Sequence, residues 1–86
     1  QQRLELLSYS GIAQKAAFYL LVQARQTGSR RVAIPQSITN WALVMNVSRP
    51  SLHRELKRLQ AQGLIVCAAP WVEIKDAEAL EALLRR

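Results

Sequence analysis

Two helical patterns joined by a very short connection constrain the fold of this chain more than any other feature of its sequence. The apolar residues of the first segment recur at i, i+3, i+4 and i+7, at Ile38, Trp41, Ala42 and Met45. Those of the second segment recur at i, i+4 and i+7, at Leu52, Leu56 and Leu59. Each spacing forms one apolar stripe on an amphipathic helix. The two helices must therefore meet across a turn of about three or four residues, the helix-turn-helix geometry.

Polar residues at the ends of both segments predict where the helices begin and end. Ser37 and Ser48 carry hydroxyl groups, which are preferred at the N-cap because they accept a hydrogen bond from a free backbone amide. Asn46 suits the left-handed residue that closes the first of these helices, and Gly63 ends the second. The connection thus consists of Asn46, which ends the first helix, the apolar residue Val47, and Ser48, which caps the second helix.

The second of these helices has a proline near its start. The first helical turn accepts proline readily, whereas the residue before a proline avoids α geometry, so the helix begins at either Arg49 or Pro50. Pro50 has no amide proton to donate. We therefore expect the Ser48 hydroxyl to accept its hydrogen bond from the amide of Ser51.

A longer amphipathic helix and a short strand come before this pair. From residue 12 the apolar residues of the helix keep to one stripe, at Ala13, Ala16, Ala17, Leu20, Leu21 and Ala24. The segment before it contains serines and Gly11, which disfavour helix and predict a break or kink near Gly11. Val32 and Ile34 then alternate with other residues in a short strand that Pro35 ends. This strand needs a partner strand elsewhere.

A hairpin and a final helix follow Gly63. The runs "LIVC" and "VEIK" read as two short strands joined by "AAPW", in which Pro70 suits the first central position of a turn. Asp76 can cap the last helix, "AEALEALLRR". A helix-turn-helix followed by a hairpin is a winged helix-turn-helix, so the predicted fold class is mainly α with a small antiparallel β-hairpin.

The helix that follows Ser48 is the third predicted helix of the chain. The side of this helix that lies opposite its leucines is basic. At about 100° per residue that side carries Pro50, His53, Arg54 and Lys57, flanked by Arg49 and Arg58. The second helix of a helix-turn-helix can enter the major groove of DNA with its first residues nearest the base edges. Arginine can bond guanine O6 and N7 in bidentate fashion, and Ser51 and His53 can bond bases or phosphates. Lys57 and Arg58 lie farther along, so we expect them to meet phosphate.

Composition favours a polyanionic partner and argues against several other classes of protein. The 86 residues, enough for one small domain, carry 12 Lys and Arg against six Asp and Glu, a formal charge of +6. No apolar run approaches the roughly 20 residues of a membrane-spanning helix, so we expect a soluble, cytoplasmic protein. With one cysteine and one histidine, neither a disulfide nor a metal or other cofactor is expected. An enzyme is the least expected class, because no acid–base pair or phosphate loop is present.

Four apolar or weakly polar side chains outside the basic face also invite interpretation. Trp41 and Met45 fit the inner stripe of their helix and are expected in the core. Cys67 lies in an apolar strand, where a buried, inert thiol is expected. Trp71 either covers the core, which is the favoured interpretation, or forms an apolar contact with a further domain or subunit.

Most of the chain resembles a known family. The segment "SITNWALVMNVSRPSLHRELKRLQAQGLI" resembles the DNA-binding domain of the Crp/Fnr family of bacterial transcription regulators, and "LELLSYSGIAQKAAFYLL" is similar to the end of that family's dimer helix and the helix after it. The resemblance implies that residues 1–86 are one winged-helix domain, that residues 1–11 end a dimer helix and that a sensory domain is absent from this sequence. It also implies a homodimer and contact with RNA polymerase.

The resemblance implies roles for individual residues as well. The family's second helix begins at a hydroxyl residue beside phosphate, matched by Ser37, and its recognition helix reads bases from positions matched by Arg49, Pro50, His53 and Arg54. Ser48 is a structural cap first, with phosphate contact as a further use of the same helix end. Pro50 replaces the family's commoner glutamate, which accepts a hydrogen bond from cytosine, so base preference should differ in the middle of each half-site. The hairpin segment "CAAPW" lacks the basic residues often seen on the wing.

The sequence thus predicts a DNA-binding transcription regulator domain that inserts its third helix into the major groove of a two-fold symmetric operator. Two alternatives stay open: a winged helix of another regulator family, and a winged helix that binds protein rather than double-stranded DNA. A protein-docking domain would more often show an apolar or mixed-charge face on this helix, whereas the face here is basic. Trp71 is the feature that supports the protein-docking alternative.

Overall fold

The computed structural model describes residues 11–85, and within that range the chain forms four helices and three strands. They are α1 (Ile12–Thr27), β1 (Arg31–Ala33), α2 (Ile38–Met45), α3 (Arg49–Ala61), β2 (Ile65–Ala68), β3 (Trp71–Ile74) and α4 (Ala77–Leu84). The predicted order of elements and the winged helix-turn-helix class are confirmed. The interpretation of residues 1–11 as the end of a dimer helix falls, apart from Gly11, outside the described residues.

The first helix begins and ends at glycines. Gly11 has extended backbone angles (φ −85°, ψ 140°), so α1 starts at Ile12 and does not continue through Gly11, as its sequence predicts. At the other end Gly28 is left-handed (φ 70°), a conformation that a residue without a Cβ adopts at low cost. This turn releases the chain from α1 and directs it into β1.

The helix-turn-helix forms through the predicted caps. At the start of α2 the Ser37 hydroxyl accepts a hydrogen bond at 3.1 Å from the amide three residues later, and Asn46 at its end is left-handed (φ 57°). The Ser48 hydroxyl accepts its hydrogen bond from the amide of Ser51 at 3.2 Å, as predicted. Pro50 lies in the first turn of α3, where a missing amide proton removes no intrahelical hydrogen bond. α3 therefore starts at Arg49 immediately after its cap.

The hairpin strands belong to a three-stranded antiparallel sheet with the order β1–β3–β2. The partner of β1 is the central strand β3, where Val32 lies opposite Val72, and on the other side of β3 Cys67 lies opposite the same Val72. Val32 and Val72 are both buried. Because side chains alternate across a strand, the sheet covers the helices with one apolar face.

The hairpin turn differs from the prediction. Pro70 is expected from sequence at the first central position, and this is wrong, because β2 ends at Ala68 and β3 begins at Trp71. Pro70 is therefore the second of the two connecting residues. The Ala69–Pro70 peptide bond is cis, and turns with a cis proline hold it at the second central position.

The core forms where α1 packs against α3 and α4 and where α2 packs against α3. Trp41 and Met45 are buried, as predicted, and so are the three leucines that form the inner stripe of α3, Leu52, Leu56 and Leu59. Burial of one such side chain stabilises the fold by roughly 1.5–3 kcal/mol. Among the described residues no polar or charged side chain is buried. The leucines therefore fix which side of α3 faces solvent.

Two side chains of the hairpin are more exposed than predicted. Cys67, expected to be a buried thiol, is exposed, because β2 is an edge strand and only its first residue, Ile65, reaches the core. Trp71 is 37% exposed and does not lie in the core. The Arg31 guanidinium lies 5.3 Å from the centre of the Trp71 ring, within the range of a cation–π contact. An apolar run predicts burial wrongly where a strand lies at the edge of its sheet.

Two side chains of α1 hold the ends of other helices. The Lys15 ammonium donates a hydrogen bond to the carbonyl of Met45 at 3.2 Å, and the Gln14 amide donates to the carbonyl of Leu83 at 2.9 Å. A cation at a helix C-terminus also opposes the negative end of the helix dipole. α1 is thus connected directly to the ends of α2 and α4. None of the described helices is long and apolar enough to cross a membrane.

Candidate nucleic-acid interface

The structure brings the residues predicted on α3 together on the solvent side of that helix. The exposed members of this set are Arg49, Pro50, His53, Arg54, Lys57 and Arg58. Ser51 is half-buried beside them, and Ser48 caps the same helix. Ser37 belongs to a different helix end, the start of α2. We call the six exposed residues of this set, from Arg49 to Arg58, the basic face.

The first two turns of α3 carry arginines without a carboxylate partner in the part of the chain that the structure describes. The Arg54 Nη2 donates a hydrogen bond to the Ser51 hydroxyl at 3.3 Å, and no ion pair involves Arg49. A neutral hydroxyl competes weakly for a guanidinium in comparison with a carboxylate or phosphate. A guanidinium has five N–H donors, so most of those of Arg54 stay available to an acceptor outside the protein.

The next turn of α3 has a different electrostatic arrangement. The Arg58 Nε and Nη2 donate to the Glu55 Oε1 at 3.1 and 2.9 Å, which is an ion pair at i, i+3. The side chains of Arg58 and Glu55 are 51% and 28% exposed. Ion pairs with this exposure contribute at most about 1 kcal/mol to stability. Lys57 forms no ion pair within residues 11–85. Arg58, predicted to meet phosphate, is therefore partly neutralised by its own helix.

Ser37 and Ser48 occupy two helix N-termini. Both hydroxyls are exposed and each accepts one backbone hydrogen bond. A helix N-terminus carries unpaired amides and the positive end of the helix dipole, both of which favour an anion. The two positions therefore combine a capping role with suitability for a phosphate group.

A cleft of about 270 Å³ separates α3 from the hairpin, and we call it the wing cleft. Its lining consists of Ile34, Ile38, His53, Leu56, Lys57, Gln60, Cys67 and Ala69. The backbone amide of Cys67 donates a hydrogen bond to the Gln60 Oε1 at 2.6 Å. Partial burial of the Cys67 side chain at the cleft raises the pKa of its thiol. Gln60 thus connects α3 to the edge strand of the sheet.

A second cavity, of about 360 Å³, lies away from the basic face. Arg31 and Trp71 border it, and it continues along the end of α1 to Gln23 and Thr27. No residue of α3 lines this cavity. The second cavity is therefore separate from the basic face. Within the described residues, no group of three His, Cys, Asp or Glu side chains could hold a metal ion.

Comparison with known proteins decides the family. Residues 14–83 match the model of the Crp-like helix-turn-helix domain. The chain belongs to this family. The match spans all nine predicted site residues and confirms the predicted class, a DNA-binding domain of a transcription regulator. A search of curated protein sequences found no significant match.

Solved structures of regulators of this kind have the same fold. A CRP-family transcriptional regulator from Thermus thermophilus shares 26% identity at a TM-score of 0.84, over all of this chain and 46% of that protein. The catabolite activator protein of Thermus thermophilus shares 27% identity at a TM-score of 0.75, over 95% of this chain and 38% of that protein. A Crp/Fnr-family regulator from Eubacterium rectale shares 23% identity at a TM-score of 0.82, over 98% and 38% of the two chains. The present chain thus spans less than half the length of each.

Sequence analysis missed two residues of this surface. Glu55 is the partner of Arg58, and the i, i+3 spacing of opposite charges on a predicted helix could have identified it. Gln60 binds the backbone of Cys67 across the turn after α3, and no sequence signal predicts this contact because it depends on where the hairpin folds back. Contact of the nine predicted residues with DNA stays a prediction.

Proposed function

We propose that this domain binds B-form DNA by inserting α3 into the major groove, with the first turns of the helix toward the base edges. The observation that carries the proposal is the separation of the two sides of α3. Leu52, Leu56 and Leu59 are buried on one side, while the basic face lies on the other. A cationic helix with this exposure matches the charge and the width of the major groove.

The residues of the basic face have distinct proposed roles. Arg49 and Arg54 read guanine edges, and His53 and Ser51 contact a base or a phosphate at the same end of the helix. Pro50 supplies shape and no hydrogen bond. Lys57 contacts phosphate, and Arg58 contributes less because it shares its charge with Glu55. Ser37 and Ser48 present their helix ends to phosphates.

The wider assignments follow from the family and belong to the whole regulator. We propose that the domain acts within a homodimer on a two-fold symmetric operator, that residues 1–11 end a dimer helix and that the regulator contacts RNA polymerase in the cytoplasm. A binding function rather than a catalytic one is proposed for the domain. The support is family membership together with similarity to regulators more than twice the length of this chain.

Salt titration of DNA binding tests the proposal directly. Release of counterions makes the logarithm of affinity fall with the logarithm of salt concentration with a slope of about −0.9 per phosphate contact. We expect a slope that corresponds to several contacts, measured by fluorescence anisotropy on a labelled duplex. Selection of bound sequences from a random pool with the longer regulator should yield a two-fold symmetric site. Absence of binding at low salt, or an affinity that does not change with salt, would refute the proposal.

A protein-docking function is the second candidate, and the exposure of Trp71 favours it. Trp71 is 37% exposed at a cavity outside α3. Exposed aromatic residues are enriched in protein interfaces. If Arg54→Ala leaves DNA binding intact and Trp71→Ala removes binding to a partner protein, the docking function is the correct one.

A further inference from the structure

The wing cleft lies beside the basic face, and His53 and Lys57 belong to both. A duplex that receives α3 in its major groove has a phosphodiester backbone at each edge of that groove. One of these edges must run along the side of α3 on which Lys57 and Gln60 lie. The cleft is therefore continuous with the proposed interface.

The side chain of Gln60 is held in one orientation. Its Oε1 accepts the hydrogen bond from the Cys67 amide at 2.6 Å, which fixes how the planar amide group is turned. The two N–H donors of Nε2 then point away from that contact, and no acceptor within residues 11–85 takes them. Gln60 and Lys57 both line the cleft, so this cleft contains an oriented amide and an ammonium group.

The rest of the lining suits a sugar–phosphate segment. Among residues 11–85, no acidic side chain lines the cleft, and Lys57 gives it a positive charge. Ile34, Ile38 and Ala69 supply apolar surface for the deoxyribose ring. The raised pKa of the Cys67 thiol favours its neutral form, which does not repel an anion. The hairpin turn carries no cation of its own, so a backbone contact on this side of the domain depends on donors from α3.

We propose that the wing cleft receives a phosphodiester segment of the same duplex whose major groove receives α3, with Lys57 and Gln60 donating hydrogen bonds to phosphate oxygens. This inference rests on the proposed function. Gln60 is then a DNA-contacting residue that the hairpin backbone orients, and the hairpin acts through that orientation rather than through charges of its own.

The single cysteine of the chain provides a footprint of the cleft. We propose to measure the rate at which iodoacetamide alkylates Cys67 at mildly alkaline pH, with and without a mixed-sequence duplex of about 20 base pairs, two helical turns. Thiol reactivity depends on access, so we expect saturating duplex to slow alkylation about tenfold. The matched control is the double variant Cys67→Ala, Val66→Cys, whose thiol lies on the opposite face of the same strand. Its rate should change less than about twofold on adding DNA.

Binding of the duplex is measured in the same samples by fluorescence anisotropy, which separates the two hypotheses. If the duplex binds and the alkylation rate of Cys67 does not fall, the cleft stays open in the complex and this inference is wrong, while the proposed function stands. If the duplex does not bind at low salt, the proposed function fails and the inference fails with it. Equal protection of both thiols would also overturn the cleft assignment.

A pair of charge-matched variants tests the donors of Gln60. Gln60→Glu keeps an acceptor for the Cys67 amide, so the hairpin stays in place, but it removes both N–H donors. Gln62→Glu adds the same charge at an exposed position outside the cleft. Because a carboxylate beside a phosphate is repelled, we expect DNA affinity to fall about tenfold for Gln60→Glu and about twofold for Gln62→Glu. Circular dichroism confirms that both variants fold, and equal losses would show that Gln60 only holds the hairpin.

Discussion

Arg54 and Arg58 lie one turn apart on α3, yet their guanidinium groups have different partners. Arg54 donates one hydrogen bond at 3.3 Å to a neutral hydroxyl, whereas Arg58 donates two, at 3.1 and 2.9 Å, to the Glu55 carboxylate. A carboxylate adds the attraction of an opposite charge to these hydrogen bonds, which a neutral hydroxyl cannot supply. In the first half of α3 the Arg54 guanidinium therefore stays available to an external acceptor. In the second half the Arg58 guanidinium is already bound to Glu55. The residue one turn away decides what an exposed arginine can bind.

Substitution of a buried leucine of α3 should have the largest effect, and it tests which side of this helix faces the core. Leu52 is fully buried on the side of α3 opposite the basic face. Leu52→Ala should lower the free energy of unfolding by about 2–5 kcal/mol, because it removes core contacts and leaves a cavity. Arg54→Ala should change it by less than about 0.5 kcal/mol. Urea denaturation followed by circular dichroism measures both, and similar losses would mean that Arg54 is not a surface residue.

The second prediction separates base contact from phosphate contact on α3. Arg54→Ala should cost ~1–3 kcal/mol of binding on the preferred site and reduce the preference at one base pair, because a bidentate contact to guanine is lost. Lys57→Ala should weaken binding to all sequences alike. Affinities for the four bases at each half-site position decide this. A uniform loss for both variants would show that Arg54 anchors the helix and does not read bases.

Pro50→Glu tests whether position 50, in the first turn of α3, faces the bases. It introduces a carboxylate that can accept a hydrogen bond from cytosine, at a position where proline offers none, and it does not touch the core. We expect preference to shift toward G·C at one step by about 1 kcal/mol. The control is Pro50→Gln, which lacks the charge. Unchanged base preference for both variants would indicate that position 50 does not face the bases.

The smallest expected effect concerns the second half of α3. Glu55→Gln removes the carboxylate that holds Arg58, so DNA affinity should rise by up to about 1 kcal/mol, since exposed ion pairs are worth no more. The salt dependence should steepen by at most about 0.9, one phosphate contact. In an Arg58→Ala background the same substitution should have a smaller effect, because no guanidinium is left to release. Equal gains in both backgrounds would contradict the ion-pair explanation.

Local sequence signals predicted the helices of this molecule well. Ser48 accepts its bond from the Ser51 amide, Asn46 is left-handed and Leu52 faces the core, all as predicted. Each of these depends on residues within one or two turns of the chain. Caps and stripes are therefore visible in a single sequence, and they also predict which residues form the basic face.

Apart from the ion pair between Glu55 and Arg58, the features that sequence analysis missed are non-local. The exposure of Cys67 depends on the strand order β1–β3–β2, which leaves β2 at the sheet edge. Trp71 lies in the central strand β3, but on the face opposite the buried Val72. The position of Pro70 depends on where both hairpin strands end. The bond between Gln60 and the Cys67 amide depends on how the hairpin returns toward α3. No periodicity encodes these distances, so only the folded chain reveals the wing cleft.

The two tryptophans differ in burial, so their fluorescence can report separately on two parts of the domain. Trp41 is fully buried with the Tyr19 ring 5.4 Å away, whereas Trp71 is 37% exposed beneath the Arg31 guanidinium. Indole emission moves to longer wavelength in water, so the two rings contribute separate bands. Dissolved iodide, drawn by the arginine, should quench Trp71 and leave Trp41 bright. A single unlabelled sample can thus follow the hairpin and the helical core independently as it is titrated or heated.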